Sequence, residues 1–505
     1  MVESEHLKPQ DAPAPAPDLL DTPEAGAAAI RGGALRLAGY GGGVGFALAS
    51  IPLLVRHLGV VDFGRYTLVV SIIAMVQGLT EGGLQAIGVR EYSVQSAAER
   101  DLMMRRLLAL RVIATLTGVA LALVFCVIAG YDSTIVLGTL VAGLGLMLLV
   151  LFNLLCVPLA ASLRFGWVTI VDLARQGLAT VLIIVLVIAG AGIVPLLAVQ
   201  IPAGLLAVGL ALVLVRGMTP LKPAFDPASW WSLLRDTLPY AIAIAVSALY
   251  FRITIVIMSL VSTETATGYF ATSYRIIEVL IGIPLLVVAA VFPVLARAAR
   301  DDAERLRYAS QRTLDLMLVL GVWVSIAVAV AAPFIIDVIA GSDFKASGTV
   351  LRIQAVTVCC TFVSVTCGFI LLSLRRHRAI LLGNVVPLAF GVTLTLILAG
   401  PHGANGAAIA TVAGEAGLAI AMLSLAVGKR AGRVPLSLRA FPQVALAAGL
   451  ATLVSVLLLP HVHELVVAAV ATLAYFGVLY PLGLIPSELR DAIAARRRLK
   501  QEVAA

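Results

Sequence analysis

The sequence has few charged residues for its length. Of its 505 residues only 13% are charged and 61% are hydrophobic, and the mean hydropathy is +1.04. Soluble domains carry roughly a quarter charged and about half apolar residues. The scarcity of charge extends along the whole chain, which excludes a soluble domain between the hydrophobic segments. A chain of this composition needs lipid as its solvent, and lipid admits only helices or closed barrels.

The sequence also lacks the motifs of soluble catalysis and of metal binding. Its five cysteines all fall within hydrophobic segments, and no CxxC pair is present. The segment HVHE at 461–464 fits a short polar loop better than a metal site, and GKR at 428–430 lacks the rest of a phosphate-binding loop. We therefore predict no cofactor, no metal site and no enzymatic activity. Coupling of the protein's activity to a gradient of H⁺ or Na⁺ remains open.

The first thirty residues lack the basic start and the apolar centre of a signal peptide. They contain six acidic side chains and an alternating Ala-Pro tract at 12–17. This composition is typical of disorder, so residues 1–30 are predicted to form a disordered cytoplasmic tail. The net charge of +8 comes from basic residues in the loops, which indicates membrane topology rather than nucleic-acid binding.

Runs of about 20 apolar residues recur along the chain, and strand-like alternation is absent, which predicts an all-α polytopic membrane protein. The boundaries set by charges and turn residues define fourteen spans. They lie near 34–55, 67–89, 107–129, 134–158, 168–190, 193–215, 237–261, 268–295, 314–339, 348–374, 379–400, 405–427, 440–460 and 465–485.

The distribution of basic residues supports this count and predicts that both termini are cytoplasmic. With that orientation, 30 of the 36 lysines and arginines lie in or next to inside segments, as the positive-inside rule requires. Arg111 and Arg175 are among those assigned to the inside ends of spans. Adding or removing one span would reverse every later loop and destroy the agreement.

The longer inside loops divide the chain into blocks. Six spans precede the proline-rich linker 217–236, which contains Trp230 and Trp231, and six follow it. Because six is even, both blocks enter the membrane in the same orientation, which predicts two pseudo-symmetric lobes with a cavity between them. The predicted units are an N-lobe at 31–216, a C-lobe at 237–428, and spans 13 and 14 with a basic tail at 429–505.

Ionisable residues far from the span ends are the candidates for function, because a charge at the bilayer centre costs ~2.5–3.5 kcal/mol on insertion scales. Arg252 lies about nine residues from the outer end of span 7, roughly 13 Å deep. Arg275 and Glu278 lie three residues apart on one face of span 8. The candidate set also contains Glu81 in span 2, Glu415 in span 12 and Arg56 at the outside end of span 1. Its six members are Arg252, Arg275, Glu278, Glu81, Glu415 and Arg56.

Two interpretations of these charges stay open. In the structural one, Arg275 pairs with Glu278, or Arg252 with Glu415, and the charges only neutralise each other. In the functional one, the arginines line the cavity and bind an anionic group, because a guanidinium holds phosphate oxygens bidentately and keeps its charge. The carboxylates would then tune the site or couple it to an ion.

Three stretches of the sequence resemble the polysaccharide/O-antigen flippase family of the multidrug/oligosaccharidyl-lipid/polysaccharide exporter superfamily. The first is LGVVDFGRY at 58–66, followed by REY at 90–92. The second is GYFATSYRIIE at 268–278, continuing to FPVLAR at 292–297. The third is GANGAAIA at 403–410.

The resemblance implies a MATE-like flippase that moves an undecaprenyl-pyrophosphate-linked oligosaccharide across the bacterial cytoplasmic membrane. Cavity arginines of the family bind the pyrophosphate and sugar, and Arg252 and Arg275 are the matching positions. Where members often carry an acidic residue in span 7, this chain has Thr254, which puts an ion-coupling role of that span in doubt. The implied partners are membrane lipid, the lipid-linked substrate, a polysaccharide polymerase and glycosyltransferases.

Other functions remain as alternatives. A lipid II flippase would share the fold and the cavity charge. A cation-coupled multidrug antiporter would need an acidic, aromatic cavity, which Arg252 and Arg275 do not favour. A membrane glycosyltransferase would need a long outside loop with paired catalytic groups, and the sequence has none. A non-transporting scaffold would leave the charges at several depths without a purpose.

Overall fold

A computed structural model of the chain describes residues 25–81, 84–94, 96–162, 164–216, 224–226, 246, 249–250, 252–428 and 432–484. The predicted tail 1–24, most of the linker 217–236 with its two tryptophans, and the basic tail beyond residue 484 lie outside these residues. Helix α1 begins at Ala25. The prediction of disorder is therefore wrong for residues 25–30, where a run of alanines favours helix.

Fourteen helical segments, which we number in chain order, make up most of the described structure. They are α1 Ala25–Glu81, α2 Leu84–Val94, α3 Ala97–Ile128, α4 Ser133–Ala161, α5 Phe165–Ile188, α6 Ile193–Ala198, α7 Gln200–Leu214, α8 Arg252–Val261, α9 Glu264–Asp301, α10 Ala303–Ile339, α11 Lys345–Ser373, α12 His377–Ala426, α13 Ala440–Leu458 and α14 Glu464–Leu479.

Two of these helices are hairpins, because each is broken by a glycine with a left-handed φ. Gly59 (φ 70°) interrupts α1, and Gly403 (φ 55°) interrupts α12. In α12 the chain folds back on itself: a Cβ on Gly406 would lie 2.0 Å from the carbonyl oxygen of Leu398, and a Cβ on Gly414 only 3.4 Å from the Cα of Gly391. Only glycine takes such a turn without strain. The two breaks coincide with the predicted loops between spans 1 and 2 and between spans 11 and 12.

Ten described helical segments, one of which is α6 together with α7, are long and apolar enough to cross a membrane, and α8 and α14 are shorter apolar helices. Large apolar side chains point away from the protein on many of them, for example Ile188, Val213 and Leu473, which are 81%, 73% and 73% exposed. Such surfaces suit lipid rather than water. The prediction of an all-α polytopic membrane protein is confirmed, whereas the count of fourteen spans stays a prediction.

The helix starts at one end of the bundle are capped by side chains. Asp132 accepts a hydrogen bond from the backbone N–H of Ile135 at the start of α4, and Thr263 accepts one from Ala266 at the start of α9. These caps fix α4 and α9 beside the turn at Gly59. We call this end, which contains Gly59, Asp132 and Thr263, the predicted outer end, because the basic residues indicate that it is extracellular.

The two halves of the chain pack mainly within themselves. Helix α1 lies against α3, α4 and α5, while α9, α10, α11 and α12 lie against one another. Helix α1 also packs on α9, and this contact joins the halves. A hydrophobic cluster with members from both helices, including Phe63 and Ile277, surrounds it. A cavity lies beside this junction.

Candidate functional site: a cationic cavity between the two halves

The cavity has a volume of about 260 Å³ and is lined from both halves of the chain. Both arms of the α1 hairpin contribute, together with α5, α7, α8 and α9. The polar side chains of the lining are Ser50, Tyr66, Thr67, Arg175, Gln176, Thr180, Gln200, Arg252, Tyr274, Arg275 and Glu278. Three arginines and one glutamate leave the lining with a positive charge.

Glu278 joins the two predicted arginines. Its Oε1 accepts a short hydrogen bond from Nη2 of Arg252 on α8. Its Oε2 lies 2.6 Å from Nη1 of Arg275, one helical turn away on α9. The predicted pairing of Arg275 with Glu278 is thus present, whereas Arg252 contacts Glu278 and not Glu415. One carboxylate between two guanidinium groups leaves one cationic charge unbalanced at the cavity wall.

The arginines remain accessible to a ligand in spite of these contacts. The side chain of Arg275 is 36% exposed and that of Arg252 is 18% exposed. Each guanidinium carries five N–H donors, of which the contacts with Glu278 use few. The hydroxyl of Thr67 lies in the same lining and is buried without a hydrogen-bond partner among the described residues. The wall therefore offers free donors to an anionic group.

Arg175 is a cavity residue that the sequence interpretation missed. It was assigned to the inside end of span 5, but the structure places it on α5 facing the cavity. Its guanidinium donates to Oδ1 of Asp172 through Nε (3.0 Å) and Nη2 (2.8 Å), and Gln176 donates to Oδ2 at 2.9 Å. The spacing i, i+3, i+4 of these three polar residues within an apolar helix was the available signal.

Glu415 lies outside the cavity lining, within the second half of the chain. It is 2% exposed and accepts a hydrogen bond from Oγ1 of Thr361 (3.1 Å) and one from the phenol of Tyr250. The cavity beside it has a volume of about 30 Å³, far smaller than the 260 Å³ of the arginine cavity. Tyr274 lines both cavities and separates Glu415 from Glu278.

Glu81 and Arg56 also lie away from the cavity. Glu81 ends α1 and acts electrostatically on Arg111, a 2% exposed arginine of α3 that the sequence interpretation assigned to an inside segment end. Arg56 donates from Nη2 to the carbonyl oxygens of Asp337 (3.1 Å) and Val338 (2.6 Å) at the end of α10. Both residues thus connect helices in this conformation.

The cavity is closed at the predicted outer end by close backbone packing. Gly64 of α1 and Gly268 of α9 touch: a Cβ on Gly64 would lie 3.0 Å from the Cα of Gly268, and a Cβ on Gly268 would lie 2.0 Å from the carbonyl oxygen of Val60. These glycines occupy equivalent places at the entry of predicted spans 2 and 8. Any larger side chain would separate the helices.

Polar contacts at the same end connect the two halves. Arg65 of α1 lies 3.0 Å from Glu264 of α9 and 3.5 Å from Asp132, which precedes α4. The hydroxyls of Tyr131 and Ser259 lie 2.5 Å apart across the junction between the α3–α4 turn and α8. The glycine contact and these polar contacts together seal the cavity from the predicted outer side.

The fold resembles those of several solved membrane proteins. It is similar to a structure of the lipid II flippase MurJ in an inward closed conformation, with a TM-score of 0.72 and 13% identity over 88% of this chain and 98% of that chain. It is also similar to an inward-facing multidrug resistance MATE family transporter, with a TM-score of 0.61 and 17% identity over 74% of this chain and 91% of that chain. An outward-facing MATE family transporter has a TM-score of 0.54 and 17% identity over 79% of this chain and 94% of that chain.

The sequence family agrees with this fold. Residues 53–349, more than half of the chain, match the family model described as polysaccharide biosynthesis protein. The chain belongs to this polysaccharide biosynthesis family, and its long apolar helices make it a multi-pass membrane protein. None of the curated proteins compared with it matches.

Proposed function

We propose that the protein moves an undecaprenyl-pyrophosphate-linked oligosaccharide from the inner to the outer leaflet of a bacterial cytoplasmic membrane by alternating access. The observation that carries the proposal is the bridge from Glu278 to Arg252 and Arg275 in a cavity that is sealed at the predicted outer end. A closed outer end leaves the inner side for loading. This is the side on which lipid-linked oligosaccharides are made.

Glu278 suits the role of a resident anion that the substrate replaces. Without substrate, its carboxylate compensates the two guanidinium groups, which lowers the cost of holding charge at this depth. A pyrophosphate brings more charge and more acceptor oxygens, and arginine binds it bidentately. When the substrate leaves, Glu278 returns to the arginines, so the site does not trap its ligand. Coupling to a H⁺ or Na⁺ gradient is part of this proposal.

A lipid II flippase is the second candidate, and the similarity to MurJ over 88% of the chain favours it. Lipid II presents the same pyrophosphate to the arginines, so the cavity charge does not separate the two functions. A multidrug antiporter, which the MATE similarity allows, would need to bind cations against three cavity arginines. Like charges repel in a site of low dielectric constant.

Export of polysaccharide tests the proposal directly. In a strain that lacks the native protein, we expect the Arg252→Ala/Arg275→Ala variant to reduce surface polysaccharide at least tenfold. Arg352→Ala is the matched control, because this exposed arginine contacts only the carbonyl of Ala329 among its described hydrogen bonds. It should export at the rate of the unmodified protein.

Membrane levels of each variant are measured by immunoblotting. Full export by the double variant at a normal level would overturn the proposal. The protein is also expressed in a strain deficient in polysaccharide export and in a strain deficient in lipid II flipping. If it restores polysaccharide export in the first and does not restore peptidoglycan synthesis in the second, the oligosaccharide flippase is favoured over the lipid II flippase.

A further inference from the structure

A second polar pocket lies beside the arginine cavity, within the first half of the chain. It has a volume of about 420 Å³ and is formed by α1, α4 and α5. It shares Gly43, Ala47 and Gln176 with the arginine cavity. The two spaces therefore adjoin along α1 and α5. The volume falls within the range of ligand pockets, ~300–1,000 Å³.

The pocket offers hydrogen-bonding groups but no net charge. Asn153, Thr169, Asp172 and Gln176 supply amide, hydroxyl and carboxylate groups. The one carboxylate is compensated, because Asp172 is paired with Arg175 at 2.8 Å. Its side chain remains 40% exposed, and a carboxylate has about four lone-pair sites, so it can still accept bonds. A neutral ligand rich in hydroxyls matches these groups, and a cation or a second phosphate does not.

Glycines of α1 form the wall opposite these polar groups. A Cβ on Gly43 would lie 2.5 Å from Oε1 of Gln176, and a Cβ on Gly39 would lie 2.2 Å from Cγ2 of Thr169. A side chain at Gly39 or Gly43 would press directly on these polar residues of α5. Phe152 and Leu173 add apolar surface to the same pocket. Sugar rings present hydroxyl edges and apolar C–H faces, which this combination of groups can contact.

The geometry points to a bipartite site, and we propose that this second pocket binds the first sugars of the glycan while the arginine cavity holds the pyrophosphate. Helix α5 connects the two subsites. Arg175 faces the arginine cavity, Asp172 faces the pocket, and Gln176 lines both. The inference rests on the proposed function and assigns the part of the substrate that distinguishes one lipid-linked glycan from another.

Binding to the full-length purified protein tests the assignment. The two probes are undecaprenyl pyrophosphate and the undecaprenyl-pyrophosphate-linked glycan extracted from the strain that lacks the protein. We expect Asn153→Ala/Thr169→Val to bind undecaprenyl pyrophosphate within twofold of the unmodified protein and the linked glycan at least fivefold more weakly. Asn384→Ala is the matched control, because this asparagine of α12 lies in neither pocket. It should change neither affinity.

Each result decides the matter. Equal affinities of the double variant and the unmodified protein for the linked glycan would overturn the sugar subsite and leave the proposed function standing. An equal loss for both probes would also overturn it, because the residues would then not separate sugar from pyrophosphate. If the unmodified protein bound neither probe, the proposed function itself would fail. If the double variant is not recovered folded, the single variants Asn153→Ala and Thr169→Val are judged by the same criterion.

Discussion

Two glutamates in the second half of the chain lie at similar depth among helices but in different surroundings. Glu278 faces a cavity of about 260 Å³ and contacts two arginines. Glu415 faces a space of about 30 Å³ and contacts the hydroxyls of Thr361 and Tyr250. Among the described residues, only Tyr274 lines both spaces. The difference shows that depth in the membrane does not by itself decide the role of a charged residue.

The surroundings decide what each carboxylate can do. Glu278 shares its partners with any anion that enters the cavity, so its contacts are exchangeable. Glu415 has partners that are buried with it, and the adjacent space admits no head group. Glu278 therefore belongs to the binding site, and Glu415 holds α12 to α11. Variants of the two residues should separate these roles.

The largest effect is expected from Glu278→Gln, which removes the resident anion and keeps the shape of the side chain. Both guanidinium groups become available, so undecaprenyl pyrophosphate should bind about tenfold more tightly, which corresponds to about 1.4 kcal/mol of binding free energy. Export should nevertheless fall at least tenfold, because nothing competes for the arginines at release. Affinity is measured by titration of the purified protein and export in cells.

Glu278→Asp serves as the control, since it keeps the charge and should keep part of the export. An unchanged affinity in Glu278→Gln would show that Glu278 does not compete with the substrate. The idea of an exchangeable anion would then fail.

A smaller effect, on stability alone, is expected from Glu415→Ala. The hydroxyls of Thr361 and Tyr250 lose their acceptor in a buried place, which costs about 1–3 kcal/mol. The thermal midpoint in detergent should fall, while affinity for undecaprenyl pyrophosphate should stay within twofold. Glu415→Gln keeps an acceptor oxygen and should recover most of the midpoint. Weaker substrate binding by Glu415→Ala, with a folded protein, would contradict the comparison.

The sequence was sufficient for the class of fold and for the central pair of arginines. Apolar runs of about 20 residues predict helices because lipid allows little else, and Arg252 and Arg275 stand out because deep charges are rare. The same reasoning could not show which of the two glutamates, Glu278 or Glu415, lies beside the arginines. Which carboxylate an arginine meets depends on how α8, α9 and α12 pack, and no local pattern encodes that.

Other parts of the site were missed for related reasons. Arg175 was counted as an inside end because the positive-inside rule considers loops and span ends and does not ask which face of a helix a residue occupies. A search for deep charges does not identify Asn153, Thr169 or Gln176, because these polar residues carry no charge. The equivalent places of Gly64 and Gly268 were visible in the sequence. Their contact with each other was not.

The smallest effect is expected from an arginine–carboxylate pair outside the cavity. Arg65 and Glu264 lie 3.0 Å apart at the predicted outer end, but their side chains are 28% and 54% exposed. Water and salt screen such a pair, which limits it to roughly 0–1 kcal/mol. Arg65→Ala should therefore shift the balance toward an open outer end by only about two- to fivefold.

Cysteine labelling measures this shift. Thr67→Cys in a cysteine-free background places a thiol in the cavity lining, and a membrane-impermeant maleimide added from the predicted outer side reports its exposure. Labelling should rise severalfold in Arg65→Ala. It should fall back to the original rate when Arg65→Glu is combined with Glu264→Arg, because this double variant restores the ion pair with its charges exchanged. Higher salt should raise labelling of the unmodified pair toward the Arg65→Ala level. If Arg65→Ala labels at the original rate, the contact between Gly64 and Gly268 closes the outer end without help from the ion pair.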